Sequence, residues 1–338
     1  MTGARLDVVA VGEVNPDLIL DGAHGLPVLG REILASRCTF TLGSSTALCA
    51  ANLAALGLTV GIVGKVGEDA FGEFVLRALC ERRIDTSRVI RDASVQTGVT
   101  VSLAYPEDRA MVTFPGAMAN LPAEEVDLDY LGMARHLHLS SLFLQLAIQP
   151  GCAGLFRAAK ERGLTISLDP GWDPGEKWDA GIAALYPWLD VLFVNQAEIC
   201  ALGGDVEWQS AAATLASRVP TLVGKRGPAG AVAFRQRETW EHPGFTVAAV
   251  DPTGAGDAFN AGFLFGWLAG WPISECLVWG NACGALTVGR PGGCGAFANR
   301  LEVEAFIRLR TEGVSGTTTG QPPVWSLQPG PQPPLPKK

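Results

Sequence analysis

The chain's 338 residues, 48% hydrophobic and 18% charged, suffice for a sizeable core in one large domain or two smaller ones. A net charge of −8, with lysine and arginine nowhere concentrated, argues against a nucleic-acid surface. Residues 1–5 are too short for a secretory n-region, and the longest apolar stretch, 258–270, is too short to span a bilayer.

Strand-length runs follow in chain order at 8–11, 59–63, 97–104, 136–139, 165–168, 191–194, 221–223, 231–234 and 245–250. Helix-length segments lie at 46–56, 71–82, 151–162, 197–202, 208–217, 258–268 and 273–289. Alternation at this spacing predicts an α/β domain with a mostly parallel sheet, whose ligands bind at the carboxyl ends of the strands. Polar turns at 12–17, 64–67, 169–171 and Asn195 are expected there. The eight cysteines are scattered without a C-x-x-C pair, so they read as buried thiols in a reducing cytoplasm. After about residue 312 the chain turns to Gly, Thr, Ser, Gln and Pro, a composition that buries no core. Residues 313–338 are expected to be a disordered or loosely docked tail, or a proline-rich recognition ligand.

The most informative segment is Asp251-Pro-Thr-Gly-Ala-Gly-Asp-Ala-Phe259. A glycine-rich turn that enters a helix presents unpaired N–H groups and the positive end of the helix dipole, and so binds anions. Gly254 and Gly256 allow close approach of the backbone to a phosphate, and Asp257 stands in the first helical turn as a base. Alone, the same turn is equally a tight strand-to-helix packing. Neither a Gly-x-x-x-x-Gly-Lys-Ser/Thr loop nor a dinucleotide fingerprint occurs, which removes the nicotinamide oxidoreductases. His136 and His138 alternate on one strand face as a weak metal pair without a partnering carboxylate. Arg31, Lys65 and Arg109 are candidates to meet a phosphorylated acceptor, and Trp172 and Trp178 are candidates to line a pocket.

The segment 251–262 resembles the C-terminal signature of the ribokinase-like (PfkB) sugar and nucleoside kinases. The resemblance runs to about residue 312. It takes in Gly12-Glu-Val-Asn-Pro-Asp17, the 43–57 stretch, Gly64-Lys-Val-Gly-Glu-Asp-Ala-Phe-Gly72, Thr97-Gly98, Phe114–Asn120, Asn195-Gln-Ala-Glu198, Lys225-Arg-Gly227 with Gly230, and 281–292. It implies a three-layer α/β/α sandwich with a mostly parallel central sheet. It also implies a small β-sheet lid from about 13–44 and 97–118, within a kinase domain at 1–312. The implied reaction moves the γ-phosphoryl group of ATP to a hydroxyl of a sugar, sugar acid, polyol or nucleoside. Gly254, Ala255, Gly256 and Asp257 would form the anion hole and base. Asp17, Asn15, Gly43 and Ser44 would hold the acceptor. Asn195, Glu198, Lys225, Gly227, Gly230 and Asn281 would serve the nucleotide, with Glu198 organising Mg2+ through water. Asp251 either helps hold a monovalent cation, K+, or caps the turn. A cytoplasmic homodimer joined through the lid is implied, with no nucleic-acid or membrane partner.

Two positions depart from the family's pattern. Where relatives carry two glycines and then an asparagine, this chain has Gly43, Ser44 and Leu48, which puts a ribose- or fructose-type acceptor in doubt. Asp169-Pro-Gly171 replaces the common Asp-x-Asn, so Gly171 brings no side chain. A phosphosugar kinase and a non-catalytic sugar- or nucleotide-binding relative remain as alternatives.

Overall fold

The computed structural model describes residues 5–23, 25–105, 109–290 and 299–312; the predicted tail at 313–338 lies outside them. In chain order the strands are β1 (Leu6–Val11), β2 (Pro16–Asp21), β3 (Arg37–Leu42), β4 (Val60–Gly67), β5 (Asp85–Asp92), β6 (Val99–Ala104), β7 (Arg109–Phe114), β8 (Ala134–Ser140), β9 (Thr165–Asp169), β10 (Val191–Asn195), β11 (Thr221–Lys225), β12 (Ala231–Arg235) and β13 (Glu238–His242). The helices are α1 (Ser45–Ala55), α2 (Ala70–Glu81), α3 (Leu128–Leu131), α4 (Cys152–Glu161), α5 (Gln196–Gly203), α6 (Trp208–Ala216), α7 (Ala255–Leu268), α8 (Ile273–Val288) and α9 (Arg300–Glu312).

A nine-stranded sheet has the order β13-β12-β11-β10-β9-β8-β1-β4-β5. From β11 to β5 neighbouring strands are parallel, and β12 and β13 add an antiparallel edge. Buried runs such as Val8–Val11 in β1 explain the parallel centre, because both faces are covered. One face packs its core against α1, α2, α7 and α8; the other packs against α3 to α6. The result is the expected ribokinase-like three-layer α/β/α arrangement. The chain winds from β1 through β4 to β5, then returns to β8 on the other side of β1. Such a reversal, here between β1 and β8, is where open α/β sheets bind their ligands, at the carboxyl ends of the strands.

The second sheet, order β3-β2-β6-β7, is separate and four-stranded. Asp17, Thr100 and Thr113 lie in register across it, and the two threonine hydroxyls are 3.0 Å apart. Phe40, Leu18, Val101 and Val112 form the neighbouring row on its opposite face. Sequence periodicity missed β2, β3, β5, β7 and β13, whose charged and exposed residues hide the alternation.

Two expectations are corrected. Residues 245–250 form no strand. Pro243 and Gly244 end β13, and the N–H groups of Val250 and Asp251 donate instead to the Val288 carbonyl at the end of α8 (2.8 and 3.1 Å). The glycines at 64–67 are not a turn but the end of β4, where Gly64 admits the Val14 side chain; a Cβ there would lie 2.6 Å from Val14 Cγ2.

Candidate active site

The strands deliver side chains to one end of the sheet. Beyond β1, the buried Glu13 carboxylate accepts from the Ser45 N–H at the start of α1 (2.8 Å) and from the Ser141 hydroxyl (2.7 Å). Asn15 is buried, its carbonyl accepts from Gly43 N–H (3.0 Å), and its Oδ1 meets no donor among the described residues. Asp17 presses against Gly43 so closely that a Cβ there would sit 2.0 Å from Asp17 Oδ1. Only glycine leaves room for that carboxylate. Ser44 takes a positive φ of 63°, and its hydroxyl donates to the Glu13 carbonyl (2.9 Å). A non-glycine residue in that region stores strain, a common mark of functional turns. Burial, and then the Glu13 charge, push the Asp17 carboxyl up to about 7, with Arg109 opposing them.

At β10 the chain turns directly into α5 through a capping box. Asn195 Oδ1 accepts from Glu198 N–H (3.0 Å), and Glu198 accepts from Asn195 N–H (2.8 Å) and Nδ2 (2.7 Å). Burial and the nearby Asp169 charge raise Glu198 to about 7, and Lys225 opposes them. Gly254, in the left-handed region at φ 73°, starts α7 and aims its N-terminus across this same end. Asp257 follows in the first helical turn and is buried. Burial, and then the Asp169 charge, hold its carboxyl well above the ordinary range, against the pull of Lys225.

Lys225 ends β11 beneath this turn. Its ammonium is 3.5 Å from where a Cβ on Gly256 would stand, and 2.5 Å from Asp169 Oδ2 at the end of β9. The same oxygen accepts from Asn260 Nδ2 of α7 (2.6 Å). Burial alone would raise Asp169, but Lys225 and Asn260 bring it below the usual carboxylate range. Burial alone would lower Lys225, yet Asp169, Glu198 and Asp257 raise it. Asp169 is in contact with this ammonium, while Glu198 and Asp257 act on it through their charge; among the described residues no group of three or more His, Cys, Asp or Glu side chains is placed to hold a metal ion.

A second group lies to one side. Gly227 and Gly230 have φ of 56° and 82°, and a Cβ on Gly230 would meet the His242 carbonyl at 2.0 Å. Gly244 comes within 3.0 Å of Gly230 by the same measure, and the buried Asn281 of α8 borders it. Of 281–292, residues 291 and 292 lie outside the described ones. Asp251 Oδ1 accepts from Thr253 N–H (2.8 Å), which closes the turn before α7. Arg109 of β7 donates to Thr253 Oγ1 (2.9 Å) and so joins the small sheet to this turn.

The other candidates fall elsewhere. Lys65 is buried against Glu125 (2.6 Å) and Asp92 (3.8 Å), and Arg31 is exposed. His136 and His138 form a hydrogen-bonded ladder with Thr165, Ser167 and Ser140, at 2.7–2.8 Å, that straps β8 to β9. Trp172 and Trp178 pack edge to face and line an open cleft of about 510 Å3 against the outer side of α5. Sequence reasoning passed over Asp169, Asn260 and Glu13 as site residues. Asp169 carried a signal, a carboxylate closing a predicted parallel strand; Asn260 stands three residues after Asp257, hence on the same helix side.

Comparison with known proteins agrees with this fold. Residues 5–299 match the pfkB family carbohydrate kinase. The ATP-dependent ribose-1-phosphate kinase of Halopiger xanaduensis is 35% identical over 287 residues, 84% of this chain and 93% of the relative. The 5-dehydro-2-deoxygluconokinase of Geobacillus kaustophilus is 28% identical, over 91% of this chain and 95% of the relative. The crystal structure of Thermotoga maritima ribokinase superposes with a TM-score of 0.77 at 26% identity, covering 90% of this chain and 99% of that one. No helix among the described residues is long and apolar enough to cross a membrane. The chain belongs to the pfkB family of carbohydrate kinases, and is thus an ATP-dependent phosphotransferase with a hydroxyl acceptor.

Proposed function

We propose that Asp257 is the general base of this kinase and that the backbone of Gly254, Ala255 and Gly256 is its anion hole. The observation that carries this reading is the buried Asp257 carboxylate in the first turn of α7, beside the turn's N–H groups. Phosphoryl transfer spreads charge over the equatorial oxygens, so fixed donors and positioning do most of the work. Asp257 takes the acceptor proton as the oxygen attacks, a contribution typically worth ~10²–10⁴-fold. Asp17, braced against Gly43 and near Asn15 and Ser44, accepts from neighbouring hydroxyls and selects the one that attacks.

Asn195, Glu198 and Lys225 serve the phosphates, and Gly227, Gly230, Gly244 and Asn281 border the rest of the nucleotide. Glu198 would organise Mg2+ together with the phosphates of ATP, and the ion when bound would neutralise charge on those phosphates. Glu198 is occupied by Asn195 on both oxygens, so it acts on the ion through water. Asp251 either helps hold K+ or closes the turn through Thr253.

The acceptor is a small hydroxylated molecule. A phosphorylated sugar is the reading that Arg109 favours, because this cation of the small sheet bonds Thr253 at the turn before α7 and its charge reaches Asp17. The ribose-1-phosphate kinase name of the 35%-identical relative points the same way. The catalytic unit spans 1–312, the small sheet is its lid, and the protein works in the cytoplasm as a homodimer. Purified protein with ATP and Mg2+ should release ADP with a member of a panel holding free sugars, sugar acids, nucleosides and sugar phosphates. Asp257→Asn should abolish that release while the fold survives. Undiminished turnover by this variant would remove the mechanism.

A further inference from the structure

Lys225 was expected to help seat the nucleotide, and its surroundings are unusual for that task. Its side chain is 15% exposed, a long cation brought nearly out of water under the start of α7. Asp169 takes one of its three donors, leaving capacity directed at the turn above. The same Asp169 oxygen also accepts from Asn260, one helical turn beyond Asp257. Base, cation and anion hole are therefore parts of one rigid unit. Besides neutralising Asp169, the ammonium stands beside the turn, 3.5 Å from the Cβ position of Gly256, next to the proposed anion hole.

We propose that Lys225 is a catalytic cation of phosphoryl transfer, and that Asp169 and Asn260 are the residues that position it. This rests on the reading of the 254–257 turn as the site of reaction. The bond from the γ-phosphorus to the β–γ bridging oxygen breaks, and its electron pair leaves with ADP. The acceptor oxygen bonds to phosphorus and its proton passes to Asp257. Lys225 donates hydrogen bonds to an equatorial oxygen of the moving group and transfers no proton. A point charge on a flexible stem follows the phosphoryl group between donor and acceptor.

The charge also acts on the base. The titratable groups that face Asp257 are Asp169 on β9, Lys225 on β11, Glu13 beyond β1 and the Cys49 thiol on α1, which burial keeps neutral. Lys225 favours the ionised base and Asp169 disfavours it. Removing them should therefore move the acid limb of the rate profile in opposite directions.

The experiment compares Lys225→Met, Lys225→Arg and Asp169→Asn with the intact chain, using ATP, Mg2+ and the best acceptor of the panel, after a thermal melt of each. Lys225→Met should lower kcat by about 10²-fold, the cost of removing one transition-state donor, with KM for ATP little changed. Its acid limb should move to higher pH. Lys225→Arg should recover part of kcat. Asp169→Asn should lower plateau kcat while its acid limb moves to lower pH. A raised KM for ATP at unchanged kcat, or acid limbs that stay put, would overturn the proposal. Should Lys225→Met not fold, the other two variants decide. Asp257→Asn is read separately: if it stays active the base is misassigned, yet the kcat loss of Lys225→Met stands or falls on its own.

Discussion

At the scale of single residues, the site is set by close approaches that only small residues permit. Gly43 is the clearest case, since any Cβ would lie within 2.0–2.8 Å of the Asp17 carboxylate atoms. Gly43→Ala should push Asp17 aside rather than unfold the chain, because the clash falls on a side chain. Acceptor KM should rise about tenfold or more while KM for ATP holds, a misplacement of around 1 Å being costly. Steady-state kinetics with each substrate varied in turn would check this, and equal rises in both would contradict it. In the sequence Asp257 stood out by its place in the first turn of a helix behind a glycine-rich turn, and Asp17 and Glu198 by the resemblance to the kinase family. Asp169 also closes a strand, but its partners Lys225 and Asn260 lie 56 and 91 residues further along the chain, so nothing local shows that it holds them.

At the scale of elements, α7 is buried nearly all round and lies between α1 and α8. Gly262 makes that possible: a Cβ there would come 2.5 Å from the Trp279 carbonyl and 2.8 Å from Cys283 Sγ. Backbone cannot step aside as a side chain can, so Gly262→Ala should force the two helices apart. The expected loss is about 2 kcal/mol, the usual scale of overpacking, despite the better helix propensity of alanine. Denaturant unfolding measures it, and an unshifted midpoint would show that α7 and α8 tolerate separation. Because α7 carries the 254–257 turn, the same displacement should reduce kcat. The buried central strands were readable from their β-branched runs. Of the small sheet only β6 was read; β2, β3 and β7 were not, since one face of the sheet serves the site and carries Asp17 and Arg109 in place of apolar residues. The strand expected at 245–250 failed because its apolar run follows Pro243 and Gly244 and is bound by α8.

At the scale of the whole molecule, the small sheet presents an unusual outer face. Phe40 packs on Phe71 and Phe74 of α2, while Val112 is 71% exposed and Phe114 47% exposed. Monomeric surfaces seldom gather apolar residues in one sheet face, and a partner copy laid across it would cover them. A dimer mass by light scattering at micromolar concentration is the expected result, with Val112→Asp shifting it towards the monomer. A wild-type monomer under those conditions would remove the dimer.

The sequence by itself determined the α/β class, the kinase family and the reaction. The class follows from local periods, and the family and its reaction from the resemblance of 251–262 and the other motifs along the chain to the ribokinase-like kinases. Only the tertiary structure decided which charges meet. Asp169, Lys225 and Asn260 are far apart in sequence, and the winding from β9 through β11 into α7 brings them within 2.5–2.6 Å. Desolvation and the summed field of neighbouring carboxylates exist only once those strand ends converge, so the protonation of Asp257, Asp17 and Glu198 was beyond any reading of the sequence alone.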